Sequence, residues 1–117
     1  MLGDTPGWGL RVRVWVERNG RKVLGPGRVD LLEHIDRERS ISAAARRMNM
    51  SYRRAWELVR SMNDEAGQPL VESTTGGTGG GGAKLTARGH EAVKLYRAAV
   101  ADLARAADAA ARVFSKS

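Results

Sequence analysis

Between Ser40 and Met62 the chain has room for two short helices and almost nothing between them. Residues 42–48 form the first, with Ser40 or Ser42 able to accept backbone N–H bonds as its cap. Asn49 and Met50 leave only a short turn before Ser51, a good cap for a helix reaching residue 63. Ala55, Val59 and Met62 recur at spacings of four and three, so they share its inward face. Ala43, Ala44 and Ala45 are small enough to let one helix cross another at close range. Two helices joined so tightly cannot bury both apolar faces against each other, so the rest of the chain must supply a platform.

The flanking segments read as that platform. Residues 10–17 alternate, with Leu10, Val12, Val14 and Val16 on one face of a half-buried strand and Trp15 on the other, open to a partner chain. Asn19-Gly20 is the favoured pair for a type I′ turn, and Lys22-Val23-Leu24 returns as the second strand. A two-stranded hairpin is not stable alone and must rest on helices. Gly25-Pro26-Gly27 breaks the strand, and Leu31, Leu32 and Ile35 predict a first helix over residues 28–39. Further on, residues 69–73 and 83–85 read as short strands around a glycine-rich loop at 74–82, and Thr86 caps an alanine-rich helix reaching residue 114. The fold class is mainly α with small β elements: a winged helix-turn-helix with an N-terminal β-hairpin (1–86) and a long C-terminal dimerisation helix (87–117), all one domain.

At 117 residues and 42% hydrophobic content, one modest core is the most the chain can build. The absence of cysteine excludes disulfides and thiolate metal sites and suits a reducing compartment. No apolar run approaches the ~20 residues that span a bilayer, and the first residues lack a basic region followed by an apolar stretch, so a cytoplasmic, nucleoid-associated protein is expected. The net charge of +7 favours a polyanionic partner, because neutralising phosphates releases condensed counterions. The distribution sharpens this: between Ser40 and Met62, Arg46, Arg47, Arg53, Arg54 and Arg60 face a single acid, Glu57.

A helix-turn-helix enters the major groove by the N-terminal end of its second helix. Here that end offers Ser51, Tyr52, Arg53 and Arg54, with Ser42 and Arg46 on the preceding helix. Arginine can clamp a guanine edge with two hydrogen bonds or neutralise a phosphate, and a helix N-terminus favours phosphate oxygens. Trp56 fits the core or a support for the wing better than a base contact, having one donor and a large apolar body. The glycine loop does not satisfy a phosphate-loop motif, which needs Gly-Lys-Ser/Thr opening a helix; Lys84 follows Ala83 and leads into a strand. Between two short strands it reads as a wing, whose glycines let the backbone approach the sugar-phosphate closely, with Thr74, Thr75 and Thr78 as phosphate donors and Lys84 adding charge at its base.

On the last helix, Val93, Tyr96, Val100, Leu103, Ala107, Ala110 and Phe114 are spaced alternately by three and four, a heptad seam. That helix extends roughly 40 Å at 1.5 Å per residue, more than so small a globule covers. A homodimer is expected to form along this seam, setting two recognition helices about one DNA turn apart, ~34 Å or a multiple of it. His34 and His90 have no ligand set around them, and no serine-histidine-acid or paired-carboxylate arrangement stands out. The expectation is a protein that is not an enzyme, with no metal site and no cofactor.

From residue 27 to about 96 the chain resembles the N-terminal DNA-binding domain of ModE, the molybdate-responsive regulator family. The words that carry the resemblance are Ser40-Ile41-Ser42-Ala43-Ala44-Ala45, Met50-Ser51-Tyr52-Arg53-Arg54-Ala55-Trp56, Leu70-Val71-Glu72, and the run from Thr75 through Gly82 to Ala83-Lys84-Leu85-Thr86. A wider resemblance to LysR-type helix-turn-helix domains is weaker. The resemblance implies a winged helix-turn-helix dimer on a palindromic operator of molybdenum-related genes, with Ser51 to Arg54 in the recognition helix and Thr74 to Lys84 in the wing. Full-type members continue into molybdate-binding β-barrel domains, whereas this chain ends at Ser117 on the long helix. Molybdate sensing is therefore not carried over, and a separate effector-binding protein stands among the expected partners. Two alternatives stay open: a sequence-tolerant architectural DNA-binding protein, and an oxyanion (molybdate or tungstate) sensor or protein-interaction module on the same fold.

Overall fold

The computed structural model describes residues 7–74 and 82–116. In chain order it contains β1 (Val16–Arg18), β2 (Arg21–Leu24), α1 (Pro26–Glu38), α2 (Ile41–Arg47), α3 (Tyr52–Ala66), β3 (Val71–Thr74), β4 (Gly82–Leu85) and α4 (Ala87–Phe114). The strands form two separate antiparallel pairs, β1 with β2 and β3 with β4. Asn19 and Gly20 both take positive φ, 55° and 78°, as a type I′ turn requires. Arg18 pairs with Arg21 across it, and the register shifts between Val16 and Glu17.

The core is built where the helical spacing places it. Val29, Leu31, Leu32 and Ile35 of α1 are buried with Ala44 and Ala45 of α2, Ala55, Val59 and Met62 of α3, and Leu70, Val71, Ala83 and Leu85 at the second strand pair. Two of the three central helices end for a local reason. Asn49, at φ 56°, closes α2: its N–H bonds the Arg46 carbonyl and the Met50 N–H bonds that of Ala45, the paired pattern of a Schellman cap. Gly67, at φ 76°, closes α3. One side chain then ties α3 to β3. The Asn63 Oδ1 accepts the N–H groups of Leu70 (2.8 Å) and Val71 (3.2 Å), while its Nδ2 donates to the Val71 carbonyl (3.0 Å).

The N-terminal segment departs from the expected strand over residues 10–17: only its end pairs, in β1. The return strand is four residues long before Pro26 opens α1, so nothing remains for residues 10–15 to pair with. They lie along α4 instead. The Tyr96 hydroxyl donates to the Val14 carbonyl at 2.9 Å, and Leu10, Val12 and Val14 border a groove of about 350 Å³ with Val100, Ala104 and Ala107. The shared-face alternation is correspondingly loose, since Val12 and Val16 stay 50% and 40% exposed. Trp15 is engaged within its own chain, its ring covering Gly25 and lying 4.1 Å from the Lys22 Nζ.

This packing divides the seam expected on α4. Tyr96 and Ala107 are buried within the chain, and Val93 and Val100 pack partly against its core. Leu103 and Phe114 are exposed, Phe114 stacking on Trp8 at 5.8 Å between ring centres. The division has a simple cause: three-and-four spacing marks the covered side of a helix without saying which segment covers it. The described residues span 62 × 30 × 21 Å, elongated because α4 is ~42 Å long at 1.5 Å per residue.

Candidate nucleic-acid interface

The expected recognition tip is held by a cap. The Ser51 Oγ accepts the Arg54 N–H at 3.1 Å, fixing the first turn of α3. Ala55 and Val59 anchor the inner face, which turns Tyr52, Arg53 and Arg54 outward. All three are exposed, Tyr52 at 55%. The Arg53 Nε donates to the Glu57 Oε1 at 3.0 Å, one helical turn on. With an arginine side chain 88% exposed, that pair is worth only about 0.3–0.5 kcal/mol and yields readily to a stronger anion. The remaining N–H groups of the first turn add positive potential at the same end.

On α2 the Ser40 Oγ accepts the Ala43 N–H at 3.1 Å, so Ser40 is the cap. That frees Ser42, whose Oγ accepts a hydrogen bond from the Arg46 Nη1 at 3.0 Å. Ser42 and Arg46 thus form one unit on the outside of α2. Arg47 turns back to Glu38, 3.4 Å away. At the wing, Lys84 of β4 pairs with Glu72 of β3 at 3.6 Å, directly across the register, and Thr74 ends β3 half-buried. Thr75 and Thr78 lie outside the described residues.

Trp56 lies outside the core, the first of the two places expected for it, and two features go beyond the sequence reading. Trp56 is 42% exposed on the outer side of α3, and the Arg60 guanidinium lies 5.5 Å from its ring, a cation–π contact at i,i+4 spacing that the sequence did contain. Both border a groove between α3 and the strands that also includes Ile41, Glu72 and Ala83. The second is Arg39, which links α1 to α2 and whose carbonyl accepts the Ala83 N–H of β4 at 3.0 Å. No sequence signal marks that joint.

The histidines sit apart from this surface. His34 Nδ1 is 3.1 Å from the Arg37 Nη2, and His90 Nε2 is 3.7 Å from Asp36. Among the described residues no group of three or more histidines, aspartates and glutamates could hold a metal ion, and no described helix is long and apolar enough to cross a membrane.

Known proteins share this architecture. The family model of the bacterial regulatory helix-turn-helix protein, LysR family, matches residues 27–90. The chain is 44% identical over 92 residues to the molybdenum-pterin-binding protein MopB of Rhodobacter capsulatus, covering 79% of this chain and 34% of that protein. It is 45% identical over 75 residues to the molybdenum transport protein ModE of Azotobacter vinelandii (64% and 28% covered). It is also 45% identical over 71 residues to the DNA-binding transcriptional dual regulator ModE of Escherichia coli K12 (61% and 27%). The chain thus spans about a third or less of the length of these curated relatives. In fold it is similar to the DNA-binding domain of CbnR in a DNA complex, with a TM-score of 0.59 at 20% identity, covering 77% of this chain and 97% of that one. The DNA-binding domain of BenM in complex with benA site 1 DNA gives 0.57 at 16% identity, covering 78% and 97%. A capped α3 crossing the alanine-faced α2, the β3–β4 hairpin behind them, and a family match over more than half the chain have one reading: the chain belongs to the LysR-type bacterial regulatory helix-turn-helix family.

Proposed function

We propose that this chain is a sequence-specific, operator-binding transcription regulator of molybdenum-related genes, acting in the cytoplasm on nucleoid DNA as a homodimer. The observation that carries the DNA reading is the exposed Tyr52-Arg53-Arg54 tip on a capped helix, in a segment with the family's pattern. The relatives' names, ModE and MopB, supply the molybdenum context. Ser42, Arg46, Thr74, Thr75, Thr78 and Lys84 are the proposed phosphate contacts, and Ser51 to Arg54 the groove contacts. This surface has no catalytic role in the reading, and an effector-binding protein remains a proposed partner.

The dimer is supported by a stripe the chain leaves uncovered. On α4, Leu95 and Leu103 are 58% and 43% exposed and Val113 is 70% exposed. With Ala99, Ala106 and Ala110 they fall on one side of the helix at ~100° per residue, next to the side that holds Tyr96 and Ala107. Leu103 and the half-buried Ala110 of the expected seam border this open side, whereas Phe114 lies at the angle of Tyr96 and stacks on Trp8.

Binding to a two-fold duplex from a molybdenum-related promoter, measured by fluorescence anisotropy with scrambled competitor, tests the reading. Specific binding should survive the competitor. Arg53→Ala or Arg54→Ala should weaken it by about 1–3 kcal/mol wherever the arginine reads a base. Equal binding to scrambled duplex would favour an architectural protein, and no binding even at low salt would end the DNA reading.

A further inference from the structure

Three non-glycine residues among those described have positive φ: Asn19, Asn49 and Arg39. Asparagine tolerates the left-handed region because its short polar side chain bonds locally; arginine gains nothing there. Arg39 sits at φ 57°, ψ 29° just past α1, its N–H bonding the Ile35 carbonyl at 2.8 Å. This is a left-handed helix cap, a position that glycine fills most often. The wing locks that conformation in place. The Arg39 carbonyl accepts the Ala83 N–H, and Gly82 lies so close that an added Cβ would come within 2.8 Å of the Arg39 oxygen.

The side chain has nothing to do inside the molecule. Arg39 is exposed, and no hydrogen bond or ion pair engages its guanidinium among the described residues. Its neighbours contrast with it: Arg37 reaches His34, Arg47 reaches Glu38, and Arg46 reaches Ser42. Arg39 lies three residues before Ser42 and is hydrogen-bonded to the root of the wing, so it stands where α2 and the wing converge. An unpaired guanidinium on a backbone that disfavours its side chain is best accounted for by an external anion.

We propose that Arg39 is a DNA-phosphate contact at the joint between the helix-turn-helix and the wing. The inference rests on the DNA reading above and adds a residue to it. The strained backbone offers a clean test, because Arg39→Gly removes the charge while relieving the strain. Wild type, Arg39→Gly and Arg39→Lys would be titrated with the two-fold duplex over a series of salt concentrations, and their thermal unfolding followed by circular dichroism.

Arg39→Gly should melt a few degrees higher than wild type, yet bind DNA roughly 3–10-fold more weakly. Its plot of log affinity against log salt should be shallower by about 0.9, the value for one lost phosphate contact. Arg39→Lys should keep the wild-type slope. If Arg39→Gly binds with unchanged affinity and slope, or if Arg39→Lys loses as much slope as Arg39→Gly, the proposal is overturned while the DNA reading stands. Failure of the wild type to bind any duplex at low salt would instead remove the DNA reading itself.

Discussion

Gly89 shows how one missing methyl group decides where a helix docks. Thr86 caps α4 by accepting the Gly89 N–H at 3.0 Å, and its own N–H bonds the Leu70 carbonyl at 2.9 Å. A Cβ on Gly89 would lie 2.1 Å from that same carbonyl oxygen, which is backbone and cannot swing aside. Alanine is the better helix former by about 0.8–1.0 kcal/mol. The clash outweighs this, so Gly89→Ala should lower stability by about 1–3 kcal/mol in urea unfolding, the usual cost of overpacking. Gly27→Ala is the matched comparison: Gly27 lies in α1 with nothing within 4 Å of the added carbon, and the change should be neutral or stabilise by up to about 1 kcal/mol. At this scale the sequence was legible wherever chemistry is local. Ser51, Thr86 and the Asn19-Gly20 turn all do what their residue types favour. Gly89 and Arg39 were not legible, because a close approach or a left-handed backbone at those positions is imposed by another segment of chain.

Among elements, the helices and wing strands follow from apolar spacing, while residues 10–15 alternate like a strand yet do not pair. Alternation reveals a half-covered segment, and here α4 rather than a strand does the covering. The same long helix is fastened to α1 by charge. Arg97 donates to Asp30 at 2.8 Å and to both Glu33 oxygens, at 3.2 and 2.5 Å. The hydrogen bond from Arg97, aided by its charge and opposed by partial burial, holds the Glu33 carboxyl below its ordinary 4.5, and the same pairing raises the guanidinium further above its usual range. A carboxylate whose folded pKa is depressed stabilises the fold above its unfolded value and loses that contribution as pH falls through the folded one. Arg97→Met should therefore cost stability at neutral pH, by no more than about 1 kcal/mol for so exposed a cluster. The difference between variant and wild type should shrink well below pH 4.5, where Glu33 is protonated in both. Urea titrations at neutral and acid pH would read both numbers, and a difference that persisted undiminished in acid would mean that the ion pair is not its source.

For the whole molecule the question is what α4 does beyond the globule. A covered stripe and an open stripe run side by side along it. Spacing alone merged them into one seam, because Tyr96 at one edge and Leu103 at the other differ by only ~20° around the helix axis at 100° per residue. The N-terminal segment settles the first stripe, taking Tyr96 by its hydroxyl and Ala107 by packing. Leu95, Leu103 and Val113 on the other are large apolar groups left 58%, 43% and 70% exposed, so burying what remains of each against a second copy would contribute roughly half to two thirds of the ~1.5–3 kcal/mol that full burial gives. A variant carrying both Leu95→Glu and Leu103→Glu should accordingly sediment as a monomer while keeping its helical circular dichroism, since neither side chain belongs to the buried core. Its affinity for a two-fold duplex should fall to that for a single half-site, because the second recognition tip would no longer arrive with the first. Tyr96→Phe provides the contrast: it removes the hydrogen bond to Val14, should cost about 0.5–1.5 kcal/mol of stability, and should leave the sedimentation coefficient at the wild-type value. If wild type sediments as a dimer and the double glutamate variant does too, or if Tyr96→Phe rather than the double variant dissociates that dimer, the partner lies on the side of α4 that the chain already covers; a monomeric wild type would end the dimer reading.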